Sequence, residues 1–231
     1  LYETMSVIRN DEEIMIKRMQ EKQSTIELVL GVTLTAGEYA LAKPLSVFLN
    51  KHPEMNMHII YGNAEQLLAK LDNGEIHFAL IEGYFPSHKY EQLLYYTDSF
   101  ICVCAKNHTF SKKVNHIEDL LNERILIRET GSGTRDLLDS YLKTYNLSYS
   151  DFKNHLEIES ISSIISLLKN DCGISFLYRL SVEEELKNGS LKEIKIQNLQ
   201  LHHDTTFLWN KNSVYSKKYK EICKELIGGF N

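Results

Sequence analysis

The residues with most chemical promise are small hydroxyls and glycines placed where an apolar run gives way to a helical pattern. Thr33 and Thr35 stand between the first apolar run and the helical segment that Ala36 begins. Thr130-Gly131-Ser132-Gly133-Thr134 leads into a second such segment, and Ser160, Ile161, Ser162 and Ser163 bracket the start of a third. A helix start offers backbone N–H groups without intrahelical partners and a partial positive charge, which together suit an anion or a carbonyl oxygen. Gly131 and Gly133 let backbone approach a ligand closely. The plainer reading of each site is an N-cap with its turn glycines. Three such sites, each with hydroxyls to spare, point to a cleft. Glu82, in Ile81-Glu82-Gly83 after the third apolar run, joins the same rim. It reads as an exposed carboxylate at a strand end, as an acceptor for a ligand, or as a charge that selects against a bare dianion. Arg128 would offset it from the opposite lobe, its guanidinium free to grip a carboxylate or sulfur oxyanion.

Catalytic signatures fail by comparison. Gly131-Ser132-Gly133-Thr134 has neither the lysine nor the spacing of a phosphate loop, lacks the third glycine of a dinucleotide fingerprint, and is no nucleophile elbow. His202 and His203 fall on an expected strand, so their rings should point to opposite faces and share no metal. No spacing ties serine, histidine and acid into a triad. The chain is therefore expected to be no enzyme, with no cofactor and no metal.

The elements that would position the rim alternate along the chain. Ile26 to Thr33 is a short, β-branched apolar run, hence a buried strand. A helix follows to about Lys51, with Pro44 inside it predicting a kink or a late start. Met55 to Tyr61 reads as a strand, Ala64 to Leu71 as a helix stopped by Asn73-Gly74, and Ile76 to Ile81 as a third strand. This order predicts a parallel sheet covered on both faces. A second set follows: one or two strands in Leu94 to Ala105, a strand at Ile125 to Ile127, a helix at Thr134 to Tyr145, a strand at His155 to Glu159, a helix at Ile161 to Asn170, and a strand at Ile174 to Leu177. A charged helix at Ser181 to Asn188, strands at Leu191 to Ile196 and Thr205 to Trp209, and a closing helix at Ser216 to Phe230 complete it. No Pro/Gly/Ser-rich linker separates the two sets, so the chain should cross on a continuous strand near Tyr95 to Val103.

Ahead of all this, Leu1, Met5, Ile8, Met15 and Met19 follow a 4-3 spacing that Glu12 interrupts. That pattern reads as a helix with a narrow apolar seam, suited to a partner helix or to packing on its own domain.

Composition bounds the function. Across 231 residues the net charge is −5 and hydrophobic residues make up 43%. There is no concentrated basic surface of the kind nucleic-acid binding requires; Lys217, Lys218, Lys220 and Lys224 read as the wet face of a helix. Cys102, Cys104, Cys172 and Cys223 read as reduced small hydrophobes, since Cys102 and Cys104 would share one strand face and could not easily bridge. No secretion signal opens the sequence, and no stretch approaches the roughly 20 apolar residues that span a bilayer. A cytoplasmic protein without membrane contact is expected, and a sequence starting at Leu1 suggests a piece of something longer.

With these residues in hand, the chain resembles the effector-binding domain of LysR-type transcriptional regulators. Leu30 to Tyr39 is similar to the family's first strand and helix start, and Phe48-Leu49-Asn50-Lys51-His52-Pro53 to its helix exit. Leu71 to Gly83 is close to the segment L-x-x-G-E-(L/I)-D-x-A-(L/I), with His77 where Asp is usual. Arg128-Glu129-Thr130-Gly131-Ser132-Gly133-Thr134-Arg135 is like the R-E-x-G-S-G-T-R of the branch containing regulators of carbon fixation and sulfur assimilation. Cys172 to Leu177 resembles a further segment, although Tyr178 stands where proline is common.

The resemblance implies an α/β fold of two Rossmann-like lobes joined by two crossover strands, like type II periplasmic binding proteins, preceded by part of a linker helix. Residues 1–24 would end that dimerising helix, 25–98 with 206–231 would form lobe I, and 99–205 lobe II. Thr33, Thr35, Glu82, the 130–134 loop and Ser160 to Ser162 would face the inter-lobe cleft. The expected partners are a small polar effector, such as a small carboxylate or sulfur oxyanion, and a second copy in a homodimer or tetramer. DNA would be reached only through a winged helix-turn-helix missing from this chain. A solute-binding transport protein with the same fold is the alternative.

Overall fold

The computed structural model describes residues 27–230 together with Met5, Ile8, Arg9, Asp11 and Glu12. The chain divides into two compact units, Leu1–Tyr96 with Asp204–Asn231, and Thr97–His203. It passes from the first unit to the second along β4 (Tyr90–Ala105) and returns along β9 (Leu201–Asn210). The Leu94 to Ala105 segment is thus one long strand rather than two.

In the first unit, β1 (Glu27–Thr33) lies between β2 (Asn56–Gly62) and β3 (Phe78–Glu82), parallel to both. The expected parallel sheet is in fact mixed, because β9 pairs antiparallel with β3. A strand that arrives from elsewhere in the chain needs no crossover helix and is free to run the other way. Alternate residues serve opposite faces. Ala79, Ile81 and Leu208 pack with Leu67 and Leu71 of α2 (Ala64–Asp72). Phe78 and Phe207 turn the other way, where Tyr219 of α6 (Ser216–Phe230) stacks on Phe78 at 5.7 Å. Gly31 in β1 leaves room for Ile76, whose Cδ1 would lie 2.5 Å from a Cβ there and would have to shift. His77, in the position where the resemblance expects Asp, accepts from Val29 N through Nδ1 at 2.9 Å and so continues the β1–β3 ladder.

The first helix opens as a π-helical turn over Ala36–Leu41 and continues as α1 (Ala42–Lys51). The expected irregularity at Pro44 therefore sits just before it. Proline falls in the first α turn, where its missing N–H matters least. Of the seam proposed for the N-terminal segment, Leu1, Met15 and Met19 lie outside the described residues. Met5 and Ile8 are helical and exposed. Asp11 is buried against the body of its own unit, accepting from Ser213 Oγ at 3.0 Å and Val214 N at 2.9 Å.

In the second unit, β5 (Arg124–Ile127) lies parallel to both β6 (Asn154–Glu157) and β7 (Ile174–Tyr178). β4 runs antiparallel to β7 and to β8 (Leu191–Ile194). One face packs Phe100, Cys102, Cys104, Ile125, Ile127 and Phe176 against Leu138 and Tyr141 of α3 (Gly133–Lys143). Cys102 and Cys104 do share that face as free thiols, pushed up in pKa by burial. α4 (Ile161–Lys169) buries Ile161, Ile164, Ile165 and Leu168, and α5 (Glu183–Asn188) ends at Gly189 in the left-handed region. His202 is exposed and His203 half-buried on β9, in keeping with side chains that alternate between faces.

Two outcomes are expected. Gly173 has φ +143 and a Cβ there would lie 2.3 Å from the Arg124 carbonyl oxygen, whereas nothing lies within 4 Å at Gly228 in α6. Urea denaturation of Gly173→Ala should show a loss of about 2–4 kcal/mol, and of Gly228→Ala a gain of up to about 1 kcal/mol. His52 at the end of α1 bonds Glu225 of α6 at 3.0 Å, and that bond raises its pKa above the ordinary value. A raised histidine stabilises fully below its unfolded pKa and loses that contribution as pH climbs through the folded value. Glu225→Gln should therefore lower stability near pH 5.5 more than near pH 8, within the range about the ordinary histidine value of roughly 6.5.

Candidate functional site

Parallel pairing brings the chosen residues to one sheet edge in each unit. Strands that run the same way end together, and the helix after each strand starts at that edge.

In the first unit, Thr33 closes β1 and Glu82 closes β3. The strands are neighbours, and Glu82 N donates to Thr33 Oγ1 at 3.4 Å. Glu82 is 3% exposed, so the exposed-carboxylate reading is wrong. Its neighbour across the ladder is Thr205 of β9, and Thr205 and Thr206 are both buried. Sequence reasoning missed these two, although a pair of threonines heading an apolar strand was the available signal. Thr35 and Ala36 are buried at the start of the π turn. Thr35 is already helical, with φ −61 and ψ −50, and its side chain caps nothing. Its Oγ1 is buried without a hydrogen-bond partner.

In the second unit, β5 and β6 feed the two candidate helix starts. Ser132 caps α3 by accepting from Arg135 N at 3.4 Å, with Gly131 at φ 87 making the turn. Ser160 caps α4 by accepting from Ser163 N at 3.2 Å and pairs with Ser162 Oγ at 2.9 Å. The capping reading holds for both serines. It fails for Thr134, which is 3% exposed with Oγ1 buried and unpartnered. Gly133 and Ile161 open their helices as buried first residues, while Thr130 and Ser162 are exposed.

Arg128 requires a correction. It is 4% exposed, and Nε and Nη2 donate to Glu129 Oε2 and Oε1 at 2.8 and 2.9 Å. A fork engaged by its own neighbour is not the free guanidinium expected, because two of its five N–H donors are already committed.

The two sheet edges, each in its own unit, thus offer helix-start amides and, at Ser132 and Ser160, capping serines, while Thr35 and Thr134 carry buried hydroxyls without partners that capping does not explain. Among the described residues, no group of three or more His, Cys, Asp or Glu could hold a metal ion, and no helix is long and apolar enough to cross a membrane. Deleting a buried hydroxyl that makes no bond removes only a desolvation cost. Thr35→Val and Thr134→Val should leave stability unchanged or raise it by up to about 1 kcal/mol, whereas Thr33→Val, which removes the hydroxyl that accepts from Glu82 N, should lower it by about 1 kcal/mol. Equal losses in all three urea curves would mean that the orphan hydroxyls have partners after all.

Comparison with known proteins agrees with this architecture. The family model described as the LysR substrate binding domain matches residues 21–229. A probable RuBisCO transcriptional regulator of Gracilaria tenuistipitata var. liui is 26% identical over 204 residues, covering 87% of this chain and 66% of that protein. The chain thus spans just under two thirds of that relative's length. Among solved structures, the CcmR regulatory domain of Synechocystis PCC6803 in complex with 2-PG has a TM-score of 0.75 at 20% identity, covering 89% of this chain and 97% of that one. The effector binding domain of QuiR in complex with shikimate has a TM-score of 0.71 at 20% identity, covering 87% and 96%. At these identities the two structures establish the shared two-lobed α/β fold with its crossover strands.

Proposed function

The chain belongs to the LysR substrate-binding-domain family, and from that premise we propose that it is the effector-sensing part of a cytoplasmic DNA-binding transcription regulator. Its effector is a small polar, anionic metabolite. Unit two offers N–H donors at Gly133, Thr134, Ile161 and Ser162 for the anionic group. Unit one offers the Glu82 carboxylate and the Thr35 hydroxyl, which suit a hydroxyl or amine.

The observation that carries this reading is the pair of buried, unpartnered hydroxyls at Thr35 and Thr134. Buried polar atoms are nearly always paired, so an orphan at a helix start marks a place that something else completes. The similar CcmR and QuiR domains hold 2-PG and shikimate, both small and polar, which supports the same class of effector here. The relative named as a probable RuBisCO transcriptional regulator supports the regulatory role. Signalling follows from thermodynamics. The effector shifts the protein only through unequal affinity for two arrangements, and a homodimer or tetramer passes that bias to DNA-binding domains elsewhere in the regulator.

A thermal-shift panel of 2-PG, shikimate, inorganic sulfate and amino acids tests the reading. A true effector at 100 times its Kd should add about 2.7 kcal/mol of stability. In calorimetry with that compound, Thr33→Val and Ser132→Ala should each weaken affinity about tenfold, or about 1.4 kcal/mol, while both variants stay folded. Unchanged affinity in both would remove these residues from the site.

A further inference from the structure

Arg135 occupies a position that helix electrostatics disfavours. It lies in the first turn of α3, where the macrodipole repels a cation, yet it is 5% exposed. Its contacts explain why it stays. Nη1 donates to the Arg128 carbonyl oxygen at 2.8 Å and to Glu157 Oε2 at 3.2 Å, and Nε donates to Asp139 Oδ2 at 2.9 Å. The guanidinium also lies over the Tyr149 ring, 4.2 Å from its centroid.

Two of these partners sit at strand ends that feed the rim. Arg128 follows the last residue of β5 and opens the 128–134 loop. Glu157 is the last residue of β6, three residues before the cap at Ser160. A backbone bond from Ile158 N to Ile127 O at 2.9 Å carries the ladder one step past the strands, and Arg135 closes the span beyond it. Only a planar fork with several directed donors holds a carbonyl and two carboxylates while stacking on a ring; a lysine ammonium does not.

We propose that Arg135 is a positioning residue that locks the Ser132–Thr134 and Ser160–Ser162 helix starts into one register, so that both meet the same anionic group. The lock is a property of the second unit alone. Its bearing on ligand affinity rests on the effector-site reading above.

Hydrogen exchange of the whole chain separates the two claims. Without ligand, Arg135→Lys should speed exchange at both 132–135 and 160–163 by about tenfold or more, because local opening there becomes easier. Asp139→Asn removes a charge and weakens only a bond within α3, and should leave 160–163 unchanged. Glu157→Gln, at a half-exposed carboxylate, should speed exchange at 160–163 if the lysine variant does not fold. Exchange at 160–163 unmoved in Arg135→Lys and Glu157→Gln overturns the lock. A second arm uses inorganic sulfate as the probe. Sulfate should protect both segments in the unaltered protein, and its affinity should fall about tenfold in Arg135→Lys while the thermal midpoint without sulfate shifts no more than in Asp139→Asn. Sulfate affinity retained in Arg135→Lys overturns positioning. Sulfate that protects neither segment in the unaltered protein counts against the effector-site reading, and the ligand-free exchange still decides the lock.

Discussion

The placement of the candidate residues in each unit depends on strand direction. β1, β2 and β3 run one way in the first unit, and β5, β6 and β7 run together in the second. Parallel strands end at a common edge, so the helices that follow them start there, each presenting amides that its own turns cannot satisfy. An antiparallel arrangement of the same strands would scatter Thr33, Glu82, Ser132 and Ser160 to opposite edges. The antiparallel strands present, β4, β8 and β9, carry none of the capping serines or unpartnered threonines.

Within that frame, residues at a helix start divide by what their hydroxyls already do. Ser132 and Ser160 bond a backbone N–H of their own helices. Thr35 and Thr134 bond nothing and are sealed from water. The unpaired pair costs stability in the free chain, and a ligand that supplies a partner removes that cost. On the proposed reading, binding free energy is thereby concentrated on these two hydroxyls rather than spread over surface hydroxyls that water already satisfies.

Much of this was legible in the residues, because local patterns carry it. The apolar runs at Leu28 to Val32 and Phe78 to Ile81 become buried strands, and the hydroxyl-glycine clusters do lead into helices. What escaped the sequence depends on long-range partners. The closing β9 sets Thr205 opposite Glu82, a contact that joins residues far apart in the chain. Burial of Glu82 follows from the same pairing. Arg128 looked free because spacing says nothing about side-chain direction, and its adjacent Glu129 takes the fork. Arg135 looked like the tail of a motif, whereas its contacts reach Glu157 on a neighbouring strand.

The central claim is that the unsatisfied helix starts of the rims receive a small anion. Backbone amide chemical shifts recorded while 2-PG and then sulfate are titrated into the protein test it directly. Saturable shifts concentrated at residues 33–36, 82–83, 131–134 and 160–162 are the predicted result. Shifts that saturate elsewhere, with these amides unmoved, would contradict it.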